Sequence, residues 1–180
     1  MEPVEIKTAD IAGTLCKARR ADNGKWVEGA YFKHQKVMPS PIGKDPANND
    51  YAHLIVQSGF ADWNMPRPIT CIEIIPETVS PFTGKLDKDG RKIFKGDITE
   101  LILPNGEIRH LVADIRTVVR TVVSHPDFDD DTAKVEISGL VFLWNGYELF
   151  PCIDSDGISD IYRTKVIGNI HDEDGPAWIQ

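Results

Sequence analysis

Aspartates recur two residues apart in two glycine-bearing stretches, DKDGRKIFKGD from Asp87 to Asp97 and DSDGISD from Asp154 to Asp160. Alternating carboxylates can converge on one hard cation. Calcium loops of that kind place acids or amides at positions 1, 3 and 5, Gly at 6 and Glu at 12. Here Gly90 and Gly157 stand at position 4, counted from Asp87 and Asp154. That spacing suits aspartates that cap turns by bonding their own backbone, so no metal or cofactor is expected. Five histidines, His34, His53, His110, His125 and His171, are scattered, with no second His within a helical turn and no Cys neighbour. They read as surface or satisfied strand residues, with a triad assembled by folding as the minority alternative. Cys16, Cys71 and Cys152 show no C-x-x-C pair and read as reduced structural thiols rather than zinc ligands. A single bridge with one leftover thiol is the alternative. No nucleophile elbow, Walker A, H-E-x-x-H or dinucleotide fingerprint occurs. A protein without catalysis is the expectation.

What remains for function is charge. Lys85, Lys88, Arg91, Lys92 and Lys95 form the one local basic cluster. Strand-edge lysines guard against edge-to-edge aggregation, the simpler use. The sharper use is a positive patch for nucleic acid or an acidic protein, with Phe82 and Phe94 as stacking groups, although an SH3-like core normally claims at least one of them. The net charge of -8 is uneven: residues 1–126 hold 17 Lys and Arg against 16 Asp and Glu, residues 127–180 only 3 against 12. The acidic end disfavours binding to phosphates there and allows mimicry of DNA toward a host protein. Its densest part is DFDDD, with Asp129, Asp130 and Asp131 beside Asp127. If the two charges face opposite ends of one molecule, the basic hairpin of one copy pairs with the acidic loop of the next, in rings or filaments. A solvated loop is the plainer reading.

The elements that must carry these groups are short strands and turns. The 180 residues include 14 Gly and 12 Pro, with 41% hydrophobic and 27% charged residues, which are globular proportions. The first residues lack a basic and apolar leader, and nowhere do eighteen apolar residues run together; a soluble cytoplasmic protein that does not enter the membrane is expected. Asp22-Asn23-Gly24 predicts a hairpin within residues 15–37. Residues 39–50 and the stretch FADWNMPRP predict loops, with Trp63 and Met65 tucked against the core. YAHLIVQSG predicts a strand, and PITCIEIIPETV one buried on both faces. Asp87 to Gly90 and Leu103 to Gly106 each fit a type I turn closed by a left-handed Gly. The strand between them, Ile98 to Leu103, should pair with EIRHLVADI. RTVVRTVV fits helix or strand, and its valines favour strand. SHPDFDDDTA reads as an exposed loop, KVEISGLVFLWNGYELFPCI as paired strands around Asn145-Gly146, and TKVIGNI as the last strand.

Three separated segments carry a resemblance. They are KARRADNGKWVEG from Lys17 to Gly29, PETVSPFTGKLDKDGRKIFKGDI from Pro76 to Ile98, and VIGNIHDEDG from Val166 to Gly175. Together they resemble the YopX family of phage and prophage proteins. That pattern has a Thr-Gly, an Asp-x-x-Gly turn, an Ile-aromatic-x-Gly-Asp step and a closing Val-Ile-Gly-Asn-Ile strand. Thr83-Gly84, Asp87 and Gly90, Ile93 to Asp97, and Val166 to Ile170 fill it; residues 39–65 and 111–135 lie outside it. The resemblance implies a mostly β fold: an N-terminal β subdomain, residues 1–80, followed by a small SH3-like, partly open barrel, residues 81–180. It also implies self-association, and no catalytic residue transfers from it. An oligomeric protein-binding or regulatory module, with a host or phage protein as partner, is the leading expectation. A nucleic-acid-binding accessory protein and an acidic DNA mimic are the alternatives.

Overall fold

A computed structural model describes residues 14–36, 51–58, 68–124, 127 and 131–172. Trp63, Met65, Asp129, Asp130, His125 and the loop 39–50 lie outside the described residues. Eleven strands follow in order: β1 (Leu15–Arg19), β2 (Trp26–Gln35), β3 (Tyr51–Ser58), β4 (Ile69–Glu73), β5 (Ser80–Leu86), β6 (Lys92–Phe94), β7 (Asp97–Ile102), β8 (Ile108–Val123), β9 (Thr132–Trp144), β10 (Tyr147–Leu149) and β11 (Thr164–Asn169). They form two antiparallel sheets, ordered β4-β3-β2-β1-β5-β6 and β10-β9-β8-β7-β11. The fold is mostly β as expected, and neither sheet closes into a barrel. Two compact units meet in sequence within β5, one ending at Phe82 and the other starting at Thr83.

In the first unit, β1 and β2 pair from Leu15↔Ala30 to Arg19↔Trp26. The predicted turn joins them: Gly24 takes φ 67°, and the Asn23 side chain accepts the Lys25 amide at 2.9 Å. Alternation along β1 and β2 sends Cys16, Ala18, Val27 and Tyr31 to one face, where they meet Ile55 and Ile74 as the core. Burial of these apolar groups is the main stabilising term. β4 departs from expectation. Four of its five residues are exposed, Ile69 by 74%, because β4 ends the sheet with β3 as its one strand partner. Among its apolar side chains Ile72 packs on the core, and Ile74, just past the strand, is buried.

In the second unit, β7 lies inside the sheet between β8 and β11. It pairs with β8 from Ile98↔Val112 to Ile102↔Ile108 and with β11 from Thr164↔Leu101 to Asn169↔Asp97. Both predicted turns are present, each closed by a left-handed Gly: Gly90 at φ 78° donates to Asp87 O and Gly106 at φ 82° to Leu103 O. Asn145 and Gly146, at φ 47° and 80°, make the type I′ turn between β9 and β10. RTVVRTVV is strand, the outer half of the 16-residue β8. The core joins Ile93, Leu101, Leu111, Ala113, Leu140 and Phe142.

Candidate functional site

The basic cluster is presented by the β5–β6 hairpin, and one carboxylate builds that hairpin. Asp87 is 5% exposed; its Oδ1 accepts the amides of Asp89 at 2.9 Å and Arg91 at 2.8 Å. Its Oδ2 accepts the Val166 amide on β11 at 2.9 Å. The turn is thus closed from within and anchored to the last strand. Lys85, Lys88, Arg91 and Lys92 stand exposed around it. Lys95 does not join them, being half-buried in the next turn with its ammonium 3.5 Å from Asp114. Phe94 is 2% exposed and belongs to the interior, so the stacking role considered for it fails: the apolar ring is worth more buried beside Ile93 than in solvent.

The other aspartates are occupied in the same way. Asp154 Oδ1 accepts the amides of Asp156 and Ile158, both at 2.9 Å, and Oδ2 pairs with Arg163. Those bonds, the backbone first and Arg163 second, hold its carboxyl below the usual range. Oxygens bonded inward to amides and a guanidinium are turn caps. Asp97 goes further. It has no exposure, with Oδ2 accepting the Phe94 amide at 2.8 Å and Oδ1 the Asn169 side-chain amide at 2.9 Å. Asn169 in turn accepts the His171 amide at 3.0 Å. Gly96, at φ 80°, donates to Ala113 O at 2.7 Å and accepts from Ile170 N at 2.9 Å. The Gly-Asp step and the Gly-Asn-Ile strand are therefore one knot, which turn geometry alone does not explain.

Acidic and basic residues sit at opposite ends of a long ribbon. β8 and β9 pair from Val112↔Leu143 out to Val123↔Thr132, and the acidic loop joins their far ends, closed by Ser124 N to Asp131 O at 3.1 Å. Asp127 and Asp131 are exposed there. From Asp114 to Val123 the strand extends roughly 30 Å at about 3.3 Å per residue, too far for the loop to neutralise Lys95 of its own chain. Leu111, Ala113, Leu140 and Phe142 face the core. Beyond them the apolar parity inverts: Val118, Val122, Ala133, Val135 and Ile137 share the opposite face by register. At its root lies Arg116, bonded to Asp114 at 2.8 Å and paired with Glu148; those two carboxylates, Asp114 first, raise its pKa. β7 pairs with β8 only as far as Val112, and among the described residues no strand adjoins that side of β8 farther out. The ribbon was legible as two strands. Its unpaired length was hidden, because it follows from β7 having six residues against sixteen in β8.

The remaining candidates among the described residues include His53, His110 and the three cysteines. His53 Nδ1 lies 2.7 Å from the Tyr31 hydroxyl, a buried phenol satisfied by a ring nitrogen. His110 Nε2 stands 3.9 Å from Glu100, beyond hydrogen-bond reach. Arg109 stacks 4.6 Å from the Trp144 ring centroid in an open cleft. All three thiols are free. Cys16 is buried, and burial pushes its pKa up to about 11. Cys71 and Cys152 are exposed, so the structural role expected of all three holds for Cys16 alone. Cys71 is open because β4 is an edge.

Comparison with curated proteins and with solved structures finds no match. The family model described as YopX protein matches residues 31–175. It starts just after the Lys17 to Gly29 hairpin and runs through residues 39–65 and 111–135, where the motifs do not reach. It includes the Asp87 turn and both halves of the Asp97–Asn169 knot, and on that match the chain belongs to the YopX family.

Proposed function

We propose that this protein is a non-enzymatic module of phage or prophage type that works in the bacterial cytoplasm by binding protein, as an oligomer. The observation that carries the reading is the β8/β9 ribbon, which runs past its neighbouring strands with edges that, among the described residues, no strand pairs, and with a row of valines and Ile137 on the face away from the core. Long β-branched edges are templates for another chain, and folded proteins blunt them unless they are used. Shortening the ribbon tests this: residues 117–138 are replaced by Asn-Gly, joining Arg116 to Gly139, a hydrogen-bonded pair already in register. The shortened protein should keep its melting temperature within a few degrees and lose both self-association in sedimentation and capture of protein from host lysate. Retention of both would refute the reading.

A second reading rests on the four exposed cations of the β5–β6 hairpin, Lys85, Lys88, Arg91 and Lys92, as a contact for nucleic acid. Phosphate contacts are strongest at low salt. A mobility-shift series with no retarded DNA or RNA even at 20–50 mM salt, roughly, eliminates it. Capture from lysate of nucleic-acid-binding proteins alone, lost on neutralising Asp127 and Asp131, would instead favour the acidic mimic.

A further inference from the structure

We propose that the outer half of β8 pairs with the same segment of a second copy, antiparallel about a two-fold axis through Val119. This names the surface of the self-association read above and rests on that reading. Three observations carry it.

The first is which backbone groups are free. Ala113 O accepts the Gly96 amide, so β8 residues of odd number turn their peptide groups away from β9 and toward the β7 side. Past Val112 no strand meets them among the described residues. Two of these groups are met by side chains in place of a strand: Ile115 N donates to Asp114 Oδ1 at 2.8 Å, and Val119 O accepts from Arg120 Nη1 at 3.2 Å. Both come from neighbouring residues and can be displaced by backbone; Arg120 keeps a second anchor, its Nη2 donating to Glu148 O at 3.4 Å and its guanidinium lying over the Phe150 ring.

The second is register. Arg116-Thr117-Val118-Val119 repeats as Arg120-Thr121-Val122-Val123. An axis through Val119 sets Thr117 against Thr121 and Ile115 against Val123, with Val119 against itself. These are odd pairs, the hydrogen-bonded ones, giving about ten backbone bonds. On the other face every Arg lies opposite a Val: Arg120 against Val118, Arg116 against Val122. An axis through Arg120 would bring two guanidiniums into direct opposition, and one through Val118 would set Arg116 against Arg120. Like charges directly opposed are unfavourable, whereas Thr–Thr and β-branched pairs are favourable. Thus the repeat favours Val119 over its neighbours Val118 and Arg120 as the centre.

The third is charge. With this axis Ser124 of the second copy lies opposite Asp114, and its chain continues toward the turn that carries Lys95, 3.5 Å from Asp114. The exposed Asp127 of that loop then approaches the cation that its own chain holds about 30 Å away. An isologous contact closes after two copies, so acidic loop and basic turn meet twice in one dimer, not in a head-to-tail chain.

Single cysteines test the axis, in a background with Cys71→Ser and Cys152→Ser. Val119 is 43% exposed, so Val119→Cys leaves the core untouched. Hydrogen-bonded antiparallel partners have Cα atoms about 5.5 Å apart, within disulfide range. Mild oxidation should convert most of Val119→Cys to a covalent dimer, and Thr121→Cys at least tenfold less. Val119→Lys, which sets two ammoniums across the axis, should weaken self-association at least tenfold in sedimentation with an unchanged circular dichroism spectrum. An oligomer that persists while Val119→Cys fails to cross-link overturns the β8 axis and leaves self-association standing. A wild-type monomer at tens of micromolar overturns both.

Discussion

A carboxylate with no solvent access, such as that of Asp97, must be matched by donors, and two of its donors are the Phe94 amide and the Asn169 side chain. Asp97→Asn keeps the shape but turns an amide against one of those donors. The expected loss is about 2–4 kcal/mol, from hydrogen bonds to a charged group and a buried donor left unpaired, measured by urea denaturation. The exchange Asp97→Asn with Asn169→Asp lets residue 97 still accept from Phe94 N and donate to residue 169, and should recover more than half of that loss. A double variant no better than the single one would show that the pair is not the source. His53 gives a pH signature. Burial first, and the Lys33 ammonium second, lower its pKa from 6.5 in the folded state. Below pH 6.5 the unfolded chain then binds a proton that the folded chain refuses, so stability falls with pH until the folded pKa is passed, and levels off beneath it. The difference between wild type and His53→Asn should show this slope, and a flat difference from pH 7 to 5 would refute it. Neither partnership could be read from spacing: Asp97 and Asn169 lie 72 residues apart, whereas Asp87 and Asp154, which cap their own turns, were recognisable from Asx-x-x-Gly alone.

At the scale of elements, turn chemistry was the most legible signal, since a left-handed position admits Gly almost regardless of its surroundings. Two glycines of that kind should differ in cost. At Gly106 an added Cβ would meet nothing within 4 Å, so Gly106→Val meets backbone strain alone and should lose roughly 1–2 kcal/mol. At Gly96 a Cβ would come within 3.2 Å of Ile170, so Gly96→Ala adds crowding to strain and should lose more than Gly106→Ala. Thermal melts of the two alanine variants check the order, and equal losses would show that Ile170 yields freely. Gly29 lies in no such turn and carries no comparable signal. A Cβ there would stand 2.5 Å from Val56 O, a backbone contact set by how closely β3 crosses β2. Packing across strands also explains β4, where apolar letters at both parities suggested two covered faces and a sheet edge supplied one.

For the molecule as a whole, the uneven charge was plain in the sequence, but its placement was not: the acidic loop ends a long two-stranded ribbon. That placement changes the expected response to salt. A head-to-tail contact held by the basic hairpin and the acidic loop should weaken steeply on raising salt, since exposed pairs contribute only about 0–1 kcal/mol each and are screened. Strand pairing about Val119 relies on backbone bonds and β-branched contacts, with one Lys95–Asp127 approach per copy. Its dissociation constant should rise no more than about 30-fold between 50 and 500 mM NaCl, the dimer's two screened contacts being worth under about 2 kcal/mol together. Sedimentation equilibrium at the two concentrations decides, and a rise beyond 100-fold would return the case to charge.

The Asp97–Asn169 bond also sets an order of events as the chain leaves the ribosome. β7 emerges early and can pair at once with β8 across a tight turn, but its other neighbour, β11, follows only after the entire β8/β9 ribbon has been made. Closing so distant a contact is slow compared with forming hairpins. Until then Asp97 keeps a carboxylate without its amide partner, which favours leaving that edge of β7 hydrated and unpacked. The nascent unit is therefore expected to acquire protease resistance in one late step, when Asn169 clears the exit tunnel, and stalled chains ending before Thr164 should remain cleavable within β7.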